Sequence, residues 1–276
     1  LSVKLTLQQT KAILKTNKET AEWHVLLVDM LPRYNIDTVY RIAGFMAQCA
    51  HESADFTRLE ENLNYSESAL LRVFPRYFGP GKRNAAEYAR NPEKLANYVY
   101  MDEFRSSRGA LGNTQPGDGW RFRGGGIKQL TGRNNYATFG KAIGKTPEQT
   151  ADYVRTKRGA LESACWFWET NNLNDYADAH DIVGMSKRIN GGTIGLSDRT
   201  SRWNRAIKIL QDSNDATQLR RGSKGVEVSS VQKILGVVVD GDFGPATESA
   251  LKKWQKIHGL AVSGVVDSAT KAIMFG

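Results

Sequence analysis

The stretch FMAQCAHESADFTRLEENLNYS, residues 45–66, carries two glutamates whose type and spacing could do chemistry. Glu52 closes an apolar helical run, and Glu61 follows nine residues later beside Asn62 and Asn64. Two carboxylates on either side of one bond can hydrolyse an acetal. One, protonated, donates to the leaving oxygen; the other, ionised, activates water or attacks carbon. Nine steps of about 100° along a single helix would leave the pair on opposite faces. They converge only if the helix stops near Glu52 and the chain turns back, and the apolar period does end there. Burial at the end of an apolar helix predicts a raised pKa for Glu52, which suits the acid. Glu61, in a polar loop, is the expected base. Spacing alone does not separate such a pair from ordinary surface acids.

The elements that must position them are helical. Val39, Ile42, Ala43, Met46, Cys49 and Ala50 recur at helical spacing, with Asp37 or Thr38 as the cap. Residues 5–31, 91–100 (NPEKLANYVY), 159–171 (GALESACWFWETN) and 197–210 also read as helices. Leu161, Ala164, Cys165 and Trp168 share one face, so Trp166 and Trp168 read as core. Residues 106–126 hold seven glycines and no apolar period. They read as a long irregular loop, a common carrier of function, in which Trp120 could pack or stack on a sugar ring. QDSNDATQ, 211–218, is polar and aperiodic, and the domain boundary is placed there. Beyond it VVDGDFGPATESAL (238–251) nearly repeats as AVSGVVDSATKAIM (261–274), an offset of 23 residues. Each copy has V-x-G, a Thr six residues past the Gly, and then an apolar helix. With the helix of Val228, Val231 and Leu235 this predicts a small three-helix module, able to fold alone at about 60 residues.

Composition narrows the field. The chain has 276 residues, 40% hydrophobic and 24% charged, which is ordinary for a soluble globular protein with a sizeable core. No apolar run approaches the roughly 20 residues that span a bilayer. The opening LSVKLTLQQTKAILKTNK lacks the features of a secretory signal. Cys49 and Cys165 read as free core thiols, which excludes a disulfide scaffold. The four histidines and two cysteines give no metal-ligand spacing, so neither a metal nor another cofactor is expected. GGGIKQLTG (124–132) lacks the strand and the G-K-[ST] closure of a phosphate cradle. Asp240-Gly241-Asp242 lacks the remaining ligands of a calcium loop and reads as a structural turn. Residues 1–210 carry 30 Lys and Arg against 22 Asp and Glu; the rest carry 8 against 7. The larger part therefore suits an anionic partner such as a cell-envelope polymer. Its basic residues are dispersed rather than in runs, which argues against nucleic acid.

HES…LEENLNYS, NPEKLANYVY, GDGWRFRGGGIKQLTGRNNYATFG, ACWFWETNNLNDYAD and KRINGGTIGLSDR, spread over about residues 35–205, together resemble the glycoside hydrolase family 19 domain. The likeness is to its bacteriophage endolysin branch rather than to the disulfide-rich plant chitinases. The tail, LRRGSKGVEVSSVQKIL…VDGDFGPATESALKKWQKIHGL…VSGVVDSATKAIM, is similar to the peptidoglycan-binding type 1 domain. The resemblance implies a mainly α, lysozyme-like catalytic domain over 1–212 and a peptidoglycan-binding module over 213–276. Carried over by motif, Glu52 is the general acid and Glu61 the general base, while Thr131 helps hold the attacking water. Gln129, Asn135, Asn190, Trp120 and Tyr65 are expected to bind substrate. Arg199 matches a buried charge partner that would lower the pKa of the base, and His51 supports the acid from the neighbouring position. Glu60 has no assigned role. Gly125 stands where the family often has arginine, Lys128 replaces a usually apolar residue, and Asn134 replaces a sugar-contacting tyrosine of plant members. These departures leave the acid and base intact and put plant-type chitin subsites in question.

The implied activity is inverting hydrolysis of the β-1,4 bond between N-acetylmuramic acid and N-acetylglucosamine of bacterial peptidoglycan. Inversion calls for carboxyl groups roughly 6.5–9.5 Å apart. The enzyme would be a monomer, made in the host cytoplasm and acting on the wall in the periplasm after holin-type release. A chitinase of the same fold and a non-catalytic wall-binding phage protein are the alternatives. A nucleic-acid binder would rest on charge alone.

Overall fold

The computed structural model describes residues 3–105, 109–216 and 218–275. Its α-helices are α1 (Leu7–Ile13), α2 (Thr20–Met30), α3 (Val39–Ser53), α4 (Glu67–Val73), α5 (Pro92–Val99), α6 (Asp118–Arg121), α7 (Arg133–Ala142) and α8 (Pro147–Val154). They continue with α9 (Lys157–Thr170), α10 (Leu173–Asp178), α11 (Ile182–Asn190), α12 (Leu196–Ala216), α13 (Val226–Leu235), α14 (Pro245–Ile257) and α15 (Ser268–Phe275). Among the described residues, extended pairing is limited to isolated bridges such as Glu60 with Gly125 and Gly125 with Leu130. The fold is mainly α. The chain forms two compact units, up to residue 207 and from 208 on, the division falling inside α12. That helix runs six residues past the last apolar repeat, since a polar stretch free of Gly and Pro can continue a helix without an apolar face. None of the described helices is long and apolar enough to cross a membrane.

The core of the first unit is built on α3. Thr38 caps it by accepting the Arg41 backbone N–H at 3.3 Å. Every residue from Ile42 to Ala50 is buried, the pattern of a helix surrounded on all sides. Trp23, Leu27 and Met30 of α2 and Leu161, Cys165 and Trp168 of α9 are buried in the same unit, with Phe45 meeting Trp168 edge-on at 5.5 Å. Cys49 and Cys165 are both buried free thiols.

The chain does turn back after Glu52. Three consecutive non-glycine residues, Ala54, Asp55 and Phe56, have φ of 49°, 56° and 65°. Left-handed backbone costs about 1–2 kcal/mol per residue, so the reversal must be held from outside. Full burial of Phe56, edge-on to Trp23 at 5.1 Å, returns about 2–3 kcal/mol. Asp55 supplies the remainder. Its carboxylate accepts the Thr16 backbone N–H at 3.1 Å, the Thr16 hydroxyl at 2.8 Å and the Arg202 guanidinium at 2.5 Å. Asn17 Nδ2 donates to the Asp55 carbonyl at 2.8 Å. Residues 5–31, which read as helical, comprise α1 and α2, and the polar break between them clamps the reversal.

In the second unit the sequence repeat is a repeated hydrogen-bond device. Gln232 Oε1 accepts the Gly241 N–H at 2.9 Å, and its Nε2 donates to Asp240 Oδ1, the Asp242 carbonyl and Thr247 Oγ1. Gln255, 23 residues later, treats Gly264, Ser263, the Val265 carbonyl and Thr270 the same way. Both glutamines are buried, and each satisfies a turn that the apolar core of Leu219, Val228, Val231, Phe243, Leu251 and Val266 cannot. Asp240-Gly241-Asp242 is thus a structural turn. The repeat extends back to Q-K-I at 232–234 and 255–257, a signal already present in the sequence.

Burial raises the Asp55 carboxyl, but the Thr16 hydrogen bonds and Arg202 outweigh it and hold it below its ordinary range. Its contribution to stability is therefore complete above about pH 4 and fades as pH falls through the depressed folded value. Asp55→Asn should lower stability in urea unfolding by about 2 kcal/mol at pH 7. The gap between variant and parent should narrow on acidification; a gap constant from pH 7 to pH 2 would contradict this account.

Candidate active site

Glu52 lies in the last turn of α3 and Glu61 in the extended segment after the reversal, and both are served by residues 124–131. On one side the Gly124 N–H donates to Glu61 Oε1, and the Glu61 N–H donates to the Gly124 carbonyl at 3.2 Å. On the other, Lys128 Nζ lies 3.3 Å from Glu52 Oε2. The segment is folded onto Glu61 by the bridges at Glu60, Gly125 and Leu130, with the Gly126 N–H donating to the Leu59 carbonyl at 2.7 Å. Glycine at 124 allows this close approach, since a Cβ there would lie 3.2 Å from the Glu61 carboxyl and 2.9 Å from Gln129 Oε1 and would press on both side chains. At 125 a Cβ would come within 2.6 Å of the Tyr136 hydroxyl, so the arginine often found there in the resembling family has no room.

Each glutamate has its own surroundings. Glu61 receives a second donor, the Tyr100 hydroxyl at 2.6 Å from Oε2, so both carboxylate oxygens are oriented. Burial and the Glu61 charge push the Tyr100 phenol far up, which keeps it a donor. Glu52 Oε1 accepts from Arg199 Nη2, and the other arm of that guanidinium donates to Gln48 Oε1. Burial raises the Glu52 carboxyl, yet Lys128 and Arg199 together more than offset it and hold it below the ordinary glutamate range. Two expectations are corrected here. Glu52 is not raised by its apolar helix in the resting enzyme, because two cations outweigh burial. Arg199, expected beside Glu61, pairs with Glu52, because α12 lies along the end of α3.

The remaining residues divide into those that meet and those that do not. Gln129, Thr131 and Asn135 line one groove of about 400 Å³ with Lys128, Trp166 and Phe167. Thr131 donates its hydroxyl to the Gln129 carbonyl at 3.0 Å, and Asn135 Nδ2 donates to the Thr131 carbonyl at 2.7 Å. Trp166, read as core, is half-buried and does both jobs, packing on Phe139 at 5.2 Å. His51 is bonded through Nδ1 to Asp198 Oδ2 at 2.7 Å, on the side of α3 that meets α12. Asn190 is turned inward on its own loop, donating to the Ile194 carbonyl at 3.0 Å and accepting the Gly192 N–H at 2.8 Å. It shapes the loop whose Ile194 carbonyl also accepts from Arg199.

Trp120 sits on the short helix α6, not in an irregular loop, because Asp118 organises the turn before it. Asp118 Oδ2 accepts the Thr114 and Gln115 N–H groups, and Arg133 grips both of its oxygens. One face of the Trp120 ring is covered by the Arg123 guanidinium at 3.7 Å. Residues 106–108 of the loop lie outside the described residues. Tyr65 packs edge-on to Phe74 at 5.3 Å in the neighbouring aromatic cluster. Glu60 pairs with Arg123 Nη2 at 2.6 Å and is structural. Sequence pattern alone does not single out Tyr100 or Lys128 for the site. Tyr100 stands in a motif block but nothing local marks it, whereas Lys128 is a lone charge in an otherwise uncharged run. Among the described residues no three His, Cys, Asp or Glu side chains converge as a metal site.

Comparison with known proteins places the chain and its fold. The chain is 39% identical over 172 residues to a "Glycosyl hydrolase family 19 domain-containing protein" of Haemophilus influenzae, covering 62% of this chain and 80% of that one. It is 39% identical over 64 residues to acidic endochitinase Q of Nicotiana tabacum, 23% of this chain and 25% of the tobacco protein. Chitinase C from Streptomyces griseus shares the fold with a TM-score of 0.51, at 16% identity and over 76% of this chain and 77% of that one. Residues 227–274 match the family described as "Putative peptidoglycan binding domain".

Tyr100→Phe leaves the cavity filled and removes one donor from Glu61. It should slow glycan hydrolysis about tenfold and leave the melting temperature nearly unchanged. An unaltered rate would remove Tyr100 from the machinery.

Proposed function

This chain belongs to glycoside hydrolase family 19, and from that premise we propose that it hydrolyses the β-1,4 bond between N-acetylmuramic acid and N-acetylglucosamine in peptidoglycan, as a lysis enzyme of the phage endolysin type. The observation that carries the reading is the pairing of the two-carboxylate site with a peptidoglycan-binding module at 227–274 on the same chain. Glu61, oriented by Tyr100 and Gly124, is the base that takes a proton from the attacking water. Thr131, whose hydroxyl proton is committed to the Gln129 carbonyl, offers that water its lone pairs. Glu52 is the acid that protonates the leaving oxygen, and it must gain a proton in the complex because its partners keep it ionised beforehand. Water adds opposite the departing sugar, so a β-bond yields an α-anomer. The groove beside Lys128 takes the glycan, and the module raises local concentration on the wall. In this reading the protein is a monomer, made in the host cytoplasm and released to the wall through a holin-type pore.

A chitinase is the second reading, favoured by the stretch shared with the tobacco endochitinase. Mass spectrometry of digested sacculi separates the two. The proposal expects soluble muropeptides with new reducing N-acetylmuramic acid ends, and digestion of chitin alone would overturn it. Glu52→Gln and Glu61→Gln should each lower the rate by at least about a hundredfold with folding intact.

Ending the chain after Ala216 should reduce hydrolysis of insoluble walls by roughly a hundredfold and leave turnover of short soluble fragments within about twofold. Equal losses on both substrates would contradict a separate anchoring role.

A further inference from the structure

Lys128 combines three properties that hydrolysis of a neutral glycan does not call for. Its ammonium lies 3.3 Å from Glu52 Oε2 with only 12% of its side chain exposed. It also lies 5.2 Å from the centre of the Phe167 ring. Among the described residues that line the 400 Å³ groove with Gln129, Thr131 and Asn135, it is the charged one.

The charges around Glu52 do not balance. From the 124–131 segment it is faced by Lys128, and from α12 by Arg199. On its own helix the neighbours are His51, taken by Asp198, and the buried thiol Cys49. Two cations thus meet one carboxylate, which leaves room for a second anion. The two cations also differ in freedom. Arg199 is buried, and its other donors are occupied by Gln48 and the Ile194 carbonyl, so moving it would leave the buried Gln48 Oε1 without its donor. Lys128 is a point charge on a flexible four-carbon stem at the groove wall, and it can turn. While it faces Glu52, that carboxyl is kept from holding the proton that an acid must donate.

We propose that Lys128 is the specificity-determining residue of the site: a carboxylate on the O3 side arm of the muramoyl sugar draws its ammonium away from Glu52, which then takes a proton from solvent and can act as the acid. The inference rests on the reading of the chain as a peptidoglycan hydrolase. It makes acid activation depend on a group that peptidoglycan carries and chitin lacks. The attraction that binds the side arm and the release of Glu52 are the same movement, so selectivity is expressed in the chemical step rather than in binding alone.

The test uses the full-length protein and its Lys128→Gln and Lys128→Arg variants. Their substrates are native peptidoglycan and peptidoglycan whose carboxyl groups have been capped as methylamides. Capping should slow the parent enzyme about tenfold, the size expected when an opposite charge within a few ångströms is left in place. Lys128→Gln should be indifferent to capping within about twofold. On the capped substrate it should outpace the parent at neutral pH, with the alkaline limb of its pH profile moved upward. Lys128→Arg should keep the sensitivity to capping. A purely structural lysine would give losses on both substrates and no gain on either. Strands stripped of peptide by an amidase exchange the carboxylates of the stem for a free lactyl carboxylate: full speed shows that a carboxylate anywhere on the side arm releases Glu52, and slow turnover places the required carboxylate on the peptide stem. If the parent releases no reducing ends from native peptidoglycan, the functional reading falls and this inference with it. If it does release them but capping changes nothing, or Lys128→Gln is slowed as much as the parent, only the role of Lys128 is overturned.

Discussion

A buried guanidinium must be paired, and the pairing of Arg199 with Glu52 organises the catalytic unit. Arg199 is 3% exposed, and its fork takes Gln48 and Glu52, residues one turn apart on α3. The next face of α3 and its left-handed extension offers His51 and Asp55, which meet Asp198 and Arg202 one turn apart on α12. Asp198 and Arg202 also bond each other at 2.7 Å. Two helices that are distant in sequence are therefore joined along their length by alternating charges. The strained residues 54–56 are held in the same network, because Asp55 belongs to it. The reversal that aims Glu61 and the ion pair that sets the charge of Glu52 are consequences of one packing arrangement.

The segment 124–131 completes the site from the opposite side. A single run of eight residues places an N–H on Glu61, an ammonium on Glu52, and the side chains of Gln129 and Thr131 in the groove. Bridges at Gly125 to residues on either side fix this run, and the absence of a side chain at 124 lets it approach Glu61. Rigid placement of this kind is what acid–base catalysis needs, since small displacements of the reacting groups are costly. In the free state Lys128 and Arg199 hold Glu52 in its ionised form.

Much of this was legible in the sequence where the signal was local. The end of apolar periodicity at Glu52 announced the reversal, because a helix that loses its buried face has no reason to continue. The 23-residue repeat of the tail announced two equivalent turns, and the structure adds that Gln232 and Gln255 hold them. What failed was long-range or competitive. The motif around Arg199 points to Glu61 and the structure to Glu52, because nothing in a motif 147 residues away says which carboxylate α12 will meet. Local sequence shows only the burial that raises Glu52, whereas the two opposing cations come from separate elements. Glycines and a proline around Trp120 mask a short helix whose order comes from Asp118 and Arg133. Tyr100 carried no local mark at all.

The charge of Glu52 in the unliganded protein is the quantity on which the account turns. Carbon-13 NMR titration of the glutamate side-chain carboxyls, with the Glu52 signal identified by its loss in Glu52→Gln, measures it directly. The account predicts that Glu52 titrates below the ordinary glutamate value of about 4.3. Titration of that signal at or above the ordinary value would contradict the claim that Arg199 and Lys128 govern the charge of Glu52.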